Sequence, residues 1–142
     1  MPERTELSVE GEAMHAVARD GGHFEYRFVH PEKLSGGMQL FWCNAGEKQR
    51  LTVEFDNVFD FCGPISALCC TDSNGYTVNI YLNGRLLKSG VDFNAPEFKV
   101  KRIALGEGKL VKGMNRFEFE IVGSSSPSGL GHMGIDKVIF GR

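Results

Sequence analysis

The chain has 142 residues, with 16 Lys and Arg scattered among 18 Asp and Glu for a net charge of −2, so it lacks the basic field that draws nucleic-acid backbones. Its length suits one domain, residues 1–142, that buries about two-thirds of its unfolded surface. No apolar run approaches the roughly 20 residues of a membrane span, Met1-Pro-Glu-Arg-Thr-Glu lacks the apolar core of a signal peptide, and 11 Phe and 18 Gly suit a turn-rich all-β fold.

Residues 7–10 predict a short opening strand, 13–18 a second, and 23–29 a third that ends at His30-Pro31, where proline removes a ladder donor. After Gly36-Gly37, residues 38–43 read as a mostly buried strand, and Asn44-Ala-Gly-Glu turns the chain into residues 50–55. There Leu51, Val53 and Phe55 alternate with Arg50, Thr52 and Glu54, the period of a half-buried strand. Residues 56–63 read as an aromatic-rich connection. Asn74-Gly75 and Asn83-Gly84 both have the chemistry of tight hairpin turns. Between them Tyr76, Val78, Ile80 and Leu82 share one face, and Thr77, Asn79 and Tyr81 the other. Residues 107–112 are too glycine-flanked for a helix. Residues 115–122 turn Phe117, Phe119 and Ile121 inward and Arg116, Glu118 and Glu120 outward; a small polar loop follows, and residues 134–140 form the closing strand. Such strands pack as two antiparallel sheets, a β-sandwich.

Cys69 and Cys70 are neighbours in an apolar run and point to opposite faces of a strand, so Cys43, Cys62, Cys69 and Cys70 read as small buried thiols rather than disulfide partners. Neither they nor His15, His23, His30 and His132 have zinc-ligand spacing. No nucleophile motif or oxyanion-type glycine turn accompanies Cys62 or Cys69, which argues against an enzyme.

Taken together, several segments carry a likeness running from about Glu10 to Phe140: Ser35-Gly-Gly-Met-Gln-Leu-Phe-Trp, Thr71-Asp-Ser-Asn-Gly-Tyr, Val91-Asp-Phe-Asn-Ala-Pro, Leu110-Val-Lys-Gly-Met-Asn and Gly134-Ile-Asp. In order and spacing they resemble the galactose-binding-like β-sandwich, or jelly roll, found in carbohydrate-binding modules and in ancillary domains of glycoside hydrolases. The resemblance implies an all-β, antiparallel jelly roll. It also implies a structural Ca²⁺ held by an N-terminal Glu-x-Glu and an Asp of the closing strand, here Glu10, Glu12 and Asp136, whose hard carboxylate oxygens suit that ion. The alternative is that Glu10 and Glu12 are solvated and that Asp136, which shares the parity of Val138 and Phe140, accepts hydrogen bonds from backbone or Lys137.

A sugar ring needs a flat apolar face and polar groups for its hydroxyls. Phe93 between Asp92 and Asn94, and Tyr76 after Asp72 and Asn74, fit that need; Trp42 is a further ring whose apolar neighbours favour the core. Asp92 and Asn94 also suit turn geometry alone, and His132 reads either as a donor to a ligand hydroxyl or as a loop residue without a role. The favoured expectation is a non-catalytic module that binds a glycan or oligosaccharide, without nucleic acid or membrane as partner. Its rival is a structural or protein-interaction sandwich, ancillary to a hydrolase or forming a homo-oligomer. The compartment is open: secreted for an excised module, cytoplasmic for a complete chain.

Overall fold

The computed structural model describes residues 7–19, 22–27, 39–43, 48–58, 60–124 and 131–141. Within them the chain forms β1 (Leu7–Glu10), β2 (His15–Arg19), β3 (His23–Arg27), β4 (Gln39–Cys43), β5 (Arg50–Asn57), β6 (Phe61–Thr71), β7 (Tyr76–Leu82), β8 (Arg85–Asp92), β9 (Lys99–Leu110), β10 (Gly113–Ser124) and β11 (His132–Phe140), with a 3-10 turn at Gly11–Ala13. One sheet runs β3-β4-β11-β6-β9, with β1 also on β11; the other runs β2-β5-β10-β7-β8. All the pairings are antiparallel, so the expected sandwich is the fold observed.

Alternation decides which side chains meet between the sheets. β5 buries Leu51, Val53 and Phe55, β7 buries Tyr76, Val78, Ile80 and Leu82, and β10 buries Phe117, Phe119 and Ile121. Phe55 stacks on Phe117 at 5.3 Å and on Phe140 at 5.8 Å, joining the two sheets through aromatic faces. Each such pair contributes about 0.5–1.5 kcal/mol beyond its burial. Asn115 is a polar member of this interior. Its Oδ1 accepts from Asn83 Nδ2 at 2.9 Å and Val111 N at 3.0 Å, while its Nδ2 donates to the carbonyls of Val111 at 2.9 Å and Gly113 at 3.2 Å.

Some boundaries and turns differ from expectation. The second strand starts at His15, behind the 3-10 turn, and residues 56–63 are mostly absorbed into β5 and β6. Asn83 and Gly84, at φ 50° and 85°, make the β7–β8 hairpin turn, but Asp72–Gly75 is no hairpin. β6 and β7 belong to opposite sheets, so that turn carries the chain across the sandwich, with Asn74 left-handed at φ 66°. The expectations for residues 28–38, 44–47 and 125–130 lie outside the described residues.

β11 departs from plain alternation. Its register against β6 shifts between Ile135 and Lys137, and the core-facing residues are Met133 and Ile135 before the shift and Val138 and Phe140 after it. The extra residue of the bulge reverses the parity, so Ile135 joins the core and Asp136 sits at the irregularity. Of the thiols, Cys69 and Cys70 are buried as expected, whereas Cys62 is exposed and Cys43 partly so. Burial pushes the Cys69 thiol up to about 12. Cys70 is also raised, by burial first and then by the neighbouring charges of Asp136 and Cys69.

Candidate functional site

One rim of the sandwich gathers the β6–β7 link, the β8–β9 link and the start of β11. Asp72 N donates to the Phe93 carbonyl at 3.1 Å, Ala95 N to the Asp72 carbonyl at 2.9 Å, and Phe93 N to the Tyr76 carbonyl at 2.8 Å. These bonds lay Asp72 and Asn94 side by side as a parallel bridge. Gly75 permits the approach, since a Cβ there would overlap the Phe93 carbonyl and fall 2.5 Å from Asn94 N. His132 closes the cluster: its backbone N donates to the Asn74 carbonyl at 3.1 Å, and its Nε2 lies 2.6 Å from the Ser73 carbonyl. A carbonyl only accepts, so Nε2 carries the proton in this contact.

The sequence-predicted polar residues Asp72, Asn74, Asp92 and Asn94 therefore do come together. Ser73, Asn74, Asp92 and Asn94 are exposed and Asp72 is half-buried. Each carboxylate stabilises a turn with one oxygen: Asp72 Oδ1 accepts from Ser73 N at 2.8 Å, and Asp92 Oδ1 accepts from Asn94 N at 2.9 Å. The second oxygen of each, and the Asn74 amide, are the groups this rim offers to a ligand. His132 acts here as a clamp on Ser73, its ring stacked on Phe41 at 5.7 Å.

The rings do not share in this. Tyr76, Phe93 and Trp42 are each 0% exposed, and Trp42 meets Tyr76 edge-on at 6.1 Å inside the core. The expected stacking surface at Phe93 and Tyr76 is thereby corrected, and Trp42 takes the core place its apolar neighbours favour rather than that of a platform. The reason is that alternation continues past the end of β8: Val91, Phe93 and Ala95 are buried, while Asp92 and Asn94 are exposed. That parity was present in the sequence and would have assigned Phe93 to the core. One half-buried ring left out of the expected site is Tyr81, on the outer face of the five-stranded sheet. Its hydroxyl donates to Glu120 at 2.9 Å, and the Arg50 guanidinium lies 5.0 Å over its ring. Arg50 in turn pairs with Glu118 at 3.3 Å and Glu120 at 3.4 Å, so the groups of this face are committed to one another.

Of the expected metal residues, Glu10 and Asp136 lie on the paired strands β1 and β11. β1 pairs with β11 at residues 137–140 and β4 at residues 132–135, so Asp136, 1% exposed, stands where the two neighbours divide one edge. Glu10 faces Lys137 in the register. The following turn is wedged into the junction, because a Cβ on Gly11 would overlap the Ile135 carbonyl and sit 2.7 Å from Leu40 N. Gln39 precedes Leu40, the partner of Ile135, and its Oε1 is buried without a hydrogen-bond donor. An unsatisfied buried acceptor costs about 1–3 kcal/mol, which a cation or donor at this junction would relieve. Among the described residues no three His, Cys, Asp or Glu side chains converge on one point, and the Glu12 side chain lies outside them.

No family model and no curated protein matches the chain. Among solved structures it is similar to Paenibacillus xanthan lyase, at TM-score 0.80 and 16% identity over 95% of this chain and 13% of the lyase. It also matches the family 35 carbohydrate-binding module from Clostridium thermocellum, at TM-score 0.58 and 20% identity over 95% of this chain and 98% of the module. A third match is the CBM36-1 domain of a multidomain xylanase from the hindgut metagenome of Trinervitermes trinervoides, at TM-score 0.60 and 14% identity over 97% of this chain and 98% of that domain. The chain thus spans a small part of the lyase and nearly the whole of each isolated module. With two antiparallel sheets around one core and this likeness in three dimensions, the chain has the galactose-binding-like jelly-roll fold.

Proposed function

We propose that this domain is a non-catalytic carbohydrate-binding module that takes a glycan at the rim formed by Asp72, Asn74, Asp92 and Asn94. The observation that carries this reading is the hydrogen-bonded rim, which holds two carboxylates and an amide outward on a rigid scaffold. Carboxylate oxygens accept from sugar hydroxyls, and the amide both donates and accepts. The likeness to whole carbohydrate-binding modules supports the same reading. With the core rings withdrawn from the surface, hydrogen bonding does most of the binding. Because every sugar hydroxyl exchanges water for protein, single-site affinity is weak.

A structural Ca²⁺ belongs to this proposal, held by Glu10, Glu12 and Asp136 with the Gln39 carbonyl oxygen as a further ligand. It would tie the 3-10 turn to β11 and satisfy a buried acceptor. The test is a thermal melt of chelator-treated protein with and without Ca²⁺, then with a panel of mono- and oligosaccharides. A rise with Ca²⁺ that disappears in Asp136→Asn and Glu10→Gln supports the ion; equal melts in calcium and chelator overturn it. A sugar-specific rise that vanishes in Asn74→Ala and in Asp92→Ala supports the rim. No rise with any sugar at tens of millimolar, where even ~mM affinity registers, overturns glycan binding and leaves the structural-domain reading.

A further inference from the structure

A groove of about 530 Å³ opens at the other end of β7 from the rim, lined by Leu82, Leu86, Leu87 and Val111 and by Arg85, Glu107, Lys109 and Cys62. That volume is within the roughly 300–1,000 Å³ of small-molecule sites. It follows the seam between the sheets, since β8 edges one and β9 the other. Gly108 in its wall carries no side chain, and a Cβ there would meet Ile65 Cδ1 at 2.5 Å, Leu87 Cδ1 at 3.1 Å and Leu82 Cδ2 at 3.3 Å. The absent side chain lets Ile65, Leu87 and Leu82 pack directly on the backbone of this wall.

The lining selects a chemical class. It contains no aromatic ring, and its one amide is already used: Asn83 Nδ2 donates to Asn115 and Asn83 Oδ1 accepts from Arg116 N. A sugar would find neither a stacking face nor a free amide. The walls are aliphatic, with Leu86 54% and Val111 44% exposed despite their apolar character. Arg85 and Lys109 outnumber Glu107 at the mouth, and none of the three has an ion-pair partner among the described residues. We infer that this groove binds an aliphatic monocarboxylate, its chain against Leu82, Leu86, Leu87 and Val111 and its carboxylate between Arg85 and Lys109. The site is independent of the glycan rim.

Cys62 supplies a direct probe, because it is the exposed thiol of the four and stands opposite Lys109 in the β6–β9 register. Octanoate is titrated against the full chain while labelling of Cys62 by a neutral thiol reagent is followed, with Cys43 as internal control. At about nine times Kd, mass action slows Cys62 labelling about tenfold, with Cys43 unchanged. Octan-1-ol and octyltrimethylammonium at equal concentration protect less, and R85E/K109E, both exposed positions, abolishes the preference for octanoate. No saturable protection, or equal protection by all three amphiphiles, overturns the inference. Should the double variant melt early, the probe comparison in the unaltered chain still decides.

Discussion

Replacing Phe93 by alanine separates a core ring from a ligand platform. The ring is 0% exposed, belongs to the core cluster, and projects from a backbone fixed by Phe93 N to the Tyr76 carbonyl and by Asp72 N to the Phe93 carbonyl. Truncating a buried Phe to Ala costs about 3–5 kcal/mol through lost transfer energy and the cavity left behind. A 142-residue domain has an unfolding entropy of about 0.3 kcal/mol/K, so the midpoint should fall by about 10–17 °C. The assay is reversible thermal unfolding by circular dichroism, paired with glycan retention measured well below the lowered midpoint. Retention per folded molecule should persist, because Asp92 and Asn94 face outward on either side of the ring. An unchanged midpoint with lost retention would refute the reasoning and return Phe93 to the surface.

Asn115→Leu should lower stability by about 3 kcal/mol or more in a denaturant titration, because the amide pairs with Asn83 Nδ2 and three backbone groups that an alkyl chain leaves unsatisfied. Gly75→Ala should destabilise the rim and weaken glycan retention, since its Cβ would meet backbone that cannot move aside; an unaltered melt would contradict the close approach. Under native conditions near neutral pH a thiol reagent should modify Cys62 quickly and Cys69 and Cys70 only after unfolding. The same burial sets an alkaline dependence. With folded Cys69 raised from 9.0 to about 12, the unfolded chain loses its proton first, so the stability from the neutral thiol is full below about pH 9 and declines as pH rises towards 12. The slope approaches about 1.4 kcal/mol per pH unit for each such thiol, and Cys69→Ala should remove its share.

The sheets themselves were legible in the residues. Alternation at 50–55, 76–82 and 115–122 is a local property of strands with one buried face, and it named the same core side chains that the folded protein buries. Asn83-Gly84 was legible because Asn-Gly is the pair that best takes positive φ at both positions of a tight two-residue hairpin. Other features depended on which strands become neighbours. The bulge in β11 inserts one residue relative to β6, and that mismatch exists only once the two strands pair, so the place of Ile135 and Asp136 could not follow from parity. Asn74-Gly75 has hairpin chemistry, yet its flanking strands pair in different sheets, which is a choice of topology rather than of turn. Asp72 and Asn94 are 22 positions apart and become adjacent only through backbone hydrogen bonds between two links. The aliphatic groove likewise arises from the gap between two sheet edges, β8 and β9, whose residues carry no shared motif. Local chemistry thus determined strands, faces and one turn, whereas the rim and the groove were decided by how the two sheets close on each other and the carboxylate junction by which strands pair within one sheet, because each is assembled from residues far apart in the chain.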